Sequence, residues 1–541
     1  KELVEAHTTT LVFVNTRNMT ETVVQKLKIA GLLGVEGHHG SMDKAIRLDV
    51  EQRLKNGYLR CVVSSSSLEM GIDIGSVDLV IQVGSPGSIA TALQRIGRAG
   101  HQVGGLPRAR FLPISPHDLL ELVALQTGIL RGSMDILKFP ENCLDVLAQF
   151  LIGLSIIKEW DIDDAYELAS ASWPYRNLPY DDYIEVLDLL EDERRIWIEW
   201  EDNKFGKRGF AQMIYYTNIG TIAPNNNYLV FTSDGTMVGQ LSSSFVSSLR
   251  NGDVFLLGGS TYRVSSIRGT RVNVSPATGY RPTIPSWTGE ANSRTHELSQ
   301  EVLELLEEVA TYARLEKDPM TIFTNILGLN RPVAHAVSGF FQEHVATTFQ
   351  VPGNDLILVE QVEAPLPTYI VTTCRGRAFN LALGHLFAGI ATNDNIIVHE
   401  LSFDENGFMI KLSHEVEISL IPEIFKQGNS KDVLQKHMME SQLFAKRFRE
   451  ISSRSMLNPR RIGAEEVSPK QFQQRAEQIM QKHRQMDDSV LIRETMNEIL
   501  HADLDMAQLE IFINRMDSED VRIVHRRVKM PSPLGMTLFM S

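Results

Sequence analysis

Short apolar runs alternate with amphipathic stretches over the first 130 residues. Leu11-Val12-Phe13-Val14 is bounded by polar residues, which suits a strand buried on both faces of a parallel sheet. An amphipathic stretch from Met19 to Ala30 follows and ends at Gly31, a helix-stop signal. A second, Asp43 to Lys55, ends at Asn56-Gly57, and the apolar runs Leu59–Val63 and Val77–Val83 come next. Strands alternating with helices of this length predict a doubly wound α/β sheet over residues 11–132.

From about Lys138 the texture changes. Three helical stretches, Cys143–Ile157, Asp161–Ser170 and Asp181–Arg195, precede strand-like segments at Ile196–Trp200 and Gln212–Tyr216. Helices followed by a hairpin suggest a winged-helix module, with Trp197 and Trp200 in its core. Residues 227–286 read as short strands broken by Gly and Pro (Tyr228–Phe231, Val254–Leu257, Tyr262–Ile267, Arg271–Val274), which suggests a small barrel. Residues 290–541 are mixed, with strands near Asp355–Val362 and Tyr369–Thr373 and then long polar helices.

At 541 residues the chain is too long for one core, and with 43% hydrophobic and 22% charged residues it reads as ordinary globular protein. Cys61, Cys143 and Cys374 lie far apart, which excludes a disulfide framework and a Cys-rich zinc site and fits a reducing cytosol. No apolar run reaches the ~18–20 residues that span a bilayer, and no signal peptide opens the chain. The first residue is Lys1, only ten residues before a buried-looking strand, as expected of a piece of a longer polypeptide. The net charge of −14 argues against a polyanion partner, but it is unevenly spread. Between Asp161 and Asp202 fourteen acidic residues face three basic ones, whereas Ser441–Arg460 carries five basic residues against Glu450. A local basic track therefore survives the global acidity.

The most informative stretch is Gln94-Arg95-Ile96-Gly97-Arg98-Ala99-Gly100-His101, after the Gly84-Ser85-Pro86-Gly87 turn. On a helix Gln94 and Arg98 share a face with Arg95 beside them, and arginine forks suit a polyphosphate. A solvated basic helix start is the bland alternative. Upstream, Ser64 to Gly75 sits at the carboxyl end of a strand, where open α/β sheets bind ligands. Hydroxyls and backbone N–H groups there suit phosphates, and Asp73 suits a ribose hydroxyl or an arginine. Earlier still, Val14-Asn15-Thr16-Arg17 ends one strand and His38-His39-Gly40-Ser41-Met42 closes the next crossover.

In this order the segments resemble the second motor lobe of superfamily 2 helicases, and more narrowly the large helicase-related (Lhr) family. Leu11–Arg17 resembles motif IV, Ser64–Gly75 motif V and Gln94–His101 motif VI. Asn218–Ile222, Gly252–Gly259, Pro285–Glu290, Ser441–Arg449 and Pro531–Pro533 extend the resemblance over nearly the whole chain. It implies that Arg98 is an arginine finger for the γ-phosphoryl group, that Arg95 and Gln94 support the nucleotide cleft, and that Gly71 and Asp73 contact the nucleotide or orient the finger. Arg17, Ser41 and Ser65 would contact nucleic-acid phosphates. Trp287 would stack on an unpaired base or else close the barrel core, and Ile219 would be a wedge at the duplex junction or else hairpin packing. Position 101 is His where many such helicases have a second arginine, so a second finger is not expected.

There is no G-x-x-x-x-G-K-[ST] and no Asp-Glu-x-His tetrad. The resemblance places those groups, with the Mg²⁺ ligands, on a first lobe N-terminal to Lys1, so this chain by itself is expected not to hydrolyse ATP. The expected architecture is multidomain α/β and α+β: a second RecA-like lobe (1–135), a winged helix (136–226), a small β-barrel (227–290) and a mixed α+β accessory domain (291–541). The expected function is part of an ATP- and Mg²⁺-dependent, 3′–5′ helicase acting on DNA or RNA:DNA hybrids, monomeric, cytoplasmic and without membrane contact. Its partners would be nucleic acid and the missing lobe. The rivals are a non-catalytic nucleic-acid-binding module and one chain of a split enzyme.

Overall fold

Leu11 and Phe13 turn to one face of a parallel sheet, and Val12 and Val14 to the other, in a computed structural model of the chain. The structure describes residues 1–70, 77–100, 107–222, 227–242, 245–246, 249, 251–257, 260–268, 271–277, 293–314, 320–416, 430–486 and 488–540. A short helix α1 (Glu2–Glu5) leads into β1 (Thr10–Phe13), α2 (Arg17–Ile29), β2 (Val35–His38), α3 (Lys44–Lys55), β3 (Cys61–Ser64), β4 (Leu79–Val83), α4 (Ile89–Ile96), β5 (Ala109–Leu112) and α5 (Pro116–Arg131). The strand order is β2-β3-β1-β4-β5, and every pairing is parallel. Leu11, Phe13, Val62 and Val80 pack with Val50 and Leu54 of α3, while Val12, Cys61, Val63 and Ile81 pack with Val24 of α2. Burial on both faces explains why these strands read as continuous apolar runs. Strands β2 and β5, short and mixed in polarity, had no such signature.

A second unit holds α6 (Leu144–Ile157), β6 (Trp160–Asp161), α7 (Ile162–Ser170), α8 (Tyr180–Asp192), β7 (Ile196–Glu199), β8 (Lys204–Lys207) and α9 (Ala211–Asn218), with sheet order β6-β8-β7. The expected strand at Gln212–Tyr216 is wrong. Ala211 and Ile214 are buried three residues apart while Gln212 and Tyr216 are exposed, a helical period rather than alternation. Trp200 is also misassigned: it lies beyond β7 and is 50% exposed. Trp197 is half-buried, its ring lying over Gly206, where any Cβ would meet it at 2.6 Å.

The strand-rich region forms a five-stranded sheet from β9 (Asn227–Thr232), β10 (Met237–Ser242), β11 (Val254–Leu257), β12 (Ser260–Arg268) and β13 (Arg271–Pro276), in the order β10-β9-β13-β12-β11. Beyond it come α10 (His296–Arg314), α11 (Arg331–Thr348), β14 (Leu356–Val362), β15 (Thr368–Thr372), α12 (Arg377–Asn393), β16 (Val398–Phe403) and β17 (Gly407–Leu412). Helices α13 (Ser430–Met439), α14 (Gln442–Arg454), α15 (Pro469–Arg484), α16 (Val490–Glu498) and α17 (Met506–Asp517) follow, with a small hairpin of β18 (Arg461–Ile462) and β19 (Glu465–Glu466). The last strand, β20 (Arg522–Val528), returns to pair parallel with β14. One apolar core runs from Leu147 and Leu151 of α6 through Phe379 and Leu386 of α12 to Phe444 and Phe448 of α14.

Two of the four basic residues on α14, Arg447 and Arg454, are consumed inside this assembly. Arg447 makes a two-point bond to Asp503 at 2.7 Å and also pairs with Glu450 and Glu498. Arg454 bonds Asp145 at 2.5 Å and Glu498. These arginines tie α14 and α16 to α6. Among the described residues no helix is long and apolar enough to cross a membrane.

Glu494 of α16 is buried beside Asp145, and desolvation followed by that neighbouring charge pushes its carboxyl up to about 8. Folding therefore takes up a proton there, and the associated stability is complete below the unfolded value near 4.5 and is lost as pH rises through about 8. Wild-type protein should lose melting temperature between pH 6 and pH 8.5 relative to Glu494→Gln, in which that titration is absent. Parallel melting curves of the two proteins would show the reading to be mistaken.

Candidate nucleotide and strand-binding site

Helix α4 starts from Ser88, whose side chain accepts from Thr91 N at 3.1 Å. Asp135 reinforces this start, accepting from Ala90 N at 2.6 Å and from the Ser88 hydroxyl at 2.8 Å. A carboxylate at a helix N-terminus satisfies orphan amides and complements the dipole. The same Asp135 accepts from the Thr295 hydroxyl at 2.6 Å, and Thr295 N donates to Gly87 O, so the helix start is tied to the head of α10.

Two turns on, Arg95 points inward and is 2% exposed. Its Nε and Nη2 donate to Glu69 at 3.0 and 2.9 Å, its Nη1 donates to Gln82 Oε1 at 2.8 Å, and its guanidinium lies 5.2 Å from the Phe13 ring centre. Burial pulls its pKa down and the Glu69 charge opposes that. With its donors occupied inside the lobe, Arg95 can support the nucleotide cleft only as a brace for α4 and not by direct contact. Gln94 is exposed on the opposite side of the helix. Arg98 is half-buried, its Nε reaches only the Gln94 carbonyl at 3.5 Å, and it has no ion pair among the described residues. Ala99, next to Arg98, pairs with Val77 in a parallel bridge. Gly71, Asp73, His101 and Trp287 lie outside the described residues.

Arg17 and Ser41 do come together, with Nη1 of Arg17 donating to the Ser41 hydroxyl at 2.5 Å. Ser41 is fully buried, because Gln240 N of β10 donates to its carbonyl at 2.7 Å and Gly239 lies so close that a Cβ would stand 2.5 Å from that oxygen. Direct phosphate contact by the Ser41 hydroxyl is thus corrected: it holds the arginine. Ser65, at the end of β3, is 8% exposed. Beside it Ser67 bonds His38 Nδ1 at 2.7 Å, and His38 Nε2 meets Glu51 at 2.9 Å. Ile219 caps α9 and is 56% exposed, which removes the packing alternative. Its corner is rigid: Gly220 N donates to Gln149 Oε1 at 3.0 Å, and Asn218 Oδ1 accepts from Arg460 N and Arg461 N.

Several supporting residues gave no recognised sequence signal. Glu69 and Gln82 lay within or near the motifs without a role, and Asp135 sits in an unremarkable linker. Arg294 lies 6% exposed between units, bonded to Glu121 at 3.3 Å, Asn406 at 3.3 Å, Cys374 O at 3.0 Å and Glu405 O at 2.7 Å. Replacing Arg95 by Met strands Glu69 and Gln82 without their donor. The expected loss is about 3–5 kcal/mol in denaturant unfolding, while Arg98→Ala leaves the midpoint unchanged. Equal midpoints for all three proteins would refute the positioning role.

Sequence comparison matches residues 1–102 to the helicase conserved C-terminal domain, 127–284 to the large helicase-related protein winged helix domain and 351–535 to the DEAD/H associated family. The ATP-dependent helicase Lhr-Core protein 2 of Thermococcus barophilus is 35% identical over 99% of this chain and 64% of its own length. The ATP-dependent helicase Lhr-Core of Methanocaldococcus jannaschii is 34% identical over 100% of this chain and 64% of its own. A solved structure of Mycobacterium smegmatis helicase Lhr, bound to ssDNA and AMP-PNP, superposes with a TM-score of 0.79 at 26% identity, covering 99% of this chain and 67% of that one. The chain thus spans about 64% of the length of the curated relatives it matches. With its parallel lobe, winged-helix region and accessory domain matched in one order, the chain belongs to the large helicase-related (Lhr) family.

Proposed function

We propose that this chain is the trailing part of an ATP-dependent Lhr-type helicase, supplying the arginine finger and part of the strand-binding surface. The observation that carries the reading is the contrast across the end of α4: Arg95, in its last turn, is locked inside, while Arg98, in the turn that follows the helix, has no acidic partner among the described residues. A guanidinium kept without an acidic partner in a turn anchored by the buried end of a helix is what a transferring phosphoryl group requires, because its charge must be available when the nucleotide arrives. In this reading 1–135 is the second RecA-like lobe, 136–226 the winged helix, 227–290 the small barrel and 291–541 the accessory domain. ATP binds between this lobe and a first lobe that brings the phosphate cradle. By the same resemblance the Mg²⁺ ligands belong to that other lobe, and no step here runs through the metal.

The strand lies along the loops after β1 and β3, with Arg17 contacting phosphate while Ser41 fixes its direction. Asp73 and Gly71 serve the nucleotide, and Trp287 stacks on a base. Ile219 stands at the duplex junction, where an apolar side chain on an immobile corner parts the strands as the lobe advances. Movement is 3′ to 5′ on DNA or RNA:DNA, by a monomer in the cytoplasm. The AMP-PNP and ssDNA bound by the Mycobacterium smegmatis relative support the choice of ligands.

In the protein carrying both lobes, Arg98→Ala should lower ATP turnover by ~10³–10⁵ and leave single-strand affinity intact. Turnover within threefold of wild type would remove Arg98 from the nucleotide site. Ile219→Ala should slow unwinding of a tailed duplex about tenfold or more, at unchanged ATP turnover and melting temperature. Unwinding at the wild-type rate would show that the corner has no part in strand separation.

A further inference from the structure

A cavity of about 360 Å³, with neither Arg95 nor Arg98 in its lining, opens between α10, the loop after β15 and α17. Two arginines line it, Arg375 and Arg515, together with Gln300 and Gln508. Arg375 is 7% exposed, yet its side chain makes a single hydrogen bond, from Nη2 to Asn354 O at 2.8 Å. Phe379 and Phe512 rings lie 5.5 and 5.3 Å from its guanidinium carbon, and Nε is buried with no partner. Arg515 has no side-chain hydrogen bond or ion pair among the described residues, nor do Gln300 and Gln508.

No carboxylate neutralises this pair. Asp505 is occupied at the cavity edge by Lys138 and His296, each at 3.6 Å. Glu307 accepts from Asn354 N at 2.9 Å. Burial, with the Arg515 charge second, brings Arg375 down to about 10, the Glu307 charge opposing this only in part, so it stays charged at neutral pH without an ion pair among the described residues. A buried guanidinium is normally paired, and every other deeply buried arginine described above is.

We propose that this cavity binds a phosphate-class oxyanion, carried by a nucleotide or by a nucleic-acid strand. Two guanidinium forks and two amide donors supply more N–H groups than one carboxylate has acceptor positions, and they suit the three or four oxygens of a phosphate. The cavity also exceeds a bare ion and reaches the size range of organic ligand pockets, with Phe512 and Ile511 offering an apolar wall to the group that bears the phosphate. The site lies on the accessory unit and is independent of the helicase reading.

The test is calorimetric titration of the full chain with AMP and, separately, with a single-stranded oligonucleotide. Wild type should bind AMP saturably, and Arg515→Met, which replaces a half-exposed residue, should weaken it about tenfold or more. Arg98→Ala should leave that binding intact, which separates this cavity from the nucleotide face of the lobe. A strand as the source is indicated if AMP does not bind but oligonucleotide affinity falls about tenfold in Arg515→Met. Arg375→Met should reproduce the loss, with near-ultraviolet circular dichroism confirming its fold. If neither ligand's affinity depends on Arg515, the proposal is overturned, whatever Arg375→Met does.

Discussion

The burial of one positive charge organises the motor lobe. A guanidinium removed from water needs every face compensated, and Arg95 draws its compensation from Glu69 after β3, Gln82 on β4 and Phe13 on β1. Three strands are thereby tied to α4. With the last turn of α4 fixed by that set, the turn that follows is anchored as well, since Gly97 N donates to Leu93 O and Arg98 N to Arg95 O, and the Arg98 side chain keeps no acidic partner among the described residues.

The same device joins this lobe to the rest of the chain. Arg294 is buried among Glu121 of α5, Asn406, and the carbonyls of Cys374 and Glu405, while Asp135 shares its carboxylate between the start of α4 and Thr295. Arg447 and Arg454 do likewise between α14, α16 and α6. Displacing α4 therefore means displacing the accessory unit with it, through polar groups that find no alternative partners in water-poor surroundings. Chemistry at one end of α4 and the body of the C-terminal unit are mechanically continuous.

The charge distribution acquires a different meaning once partners are visible. A net charge of −14 and a basic stretch at 441–460 suggested a phosphate track. In the fold, Arg447 and Arg454 of that stretch are committed to the carboxylates of Glu450, Glu498, Asp503 and Asp145. Arg449 of that stretch has no ion pair among the described residues, and neither have Arg98, Arg375 and Arg515 elsewhere. Counting charge along the chain located the wrong arginines, since pairing is decided by residues hundreds of positions apart, as with Arg454 and Asp145.

Local signals sufficed for the parallel lobe: Leu11–Val14 and Leu59–Val63 are apolar on both faces because helices cover both faces, and the order of Ser64–Gly75 and Gln94–His101 was enough to place the lobe among helicases. They failed at α9, where a short aromatic run has no period long enough to separate helix from strand, and at Trp200, whose exposure depends on what lies across β7. That Arg95 faces inward and Arg98 outward, that Ser41 is sealed beneath β10, and that Arg375 and Arg515 share a cavity are outcomes of tertiary packing. Adjacent arginines are chemically identical along a sequence, and only the dielectric and partners supplied by distant segments make one a brace and the other a free charge.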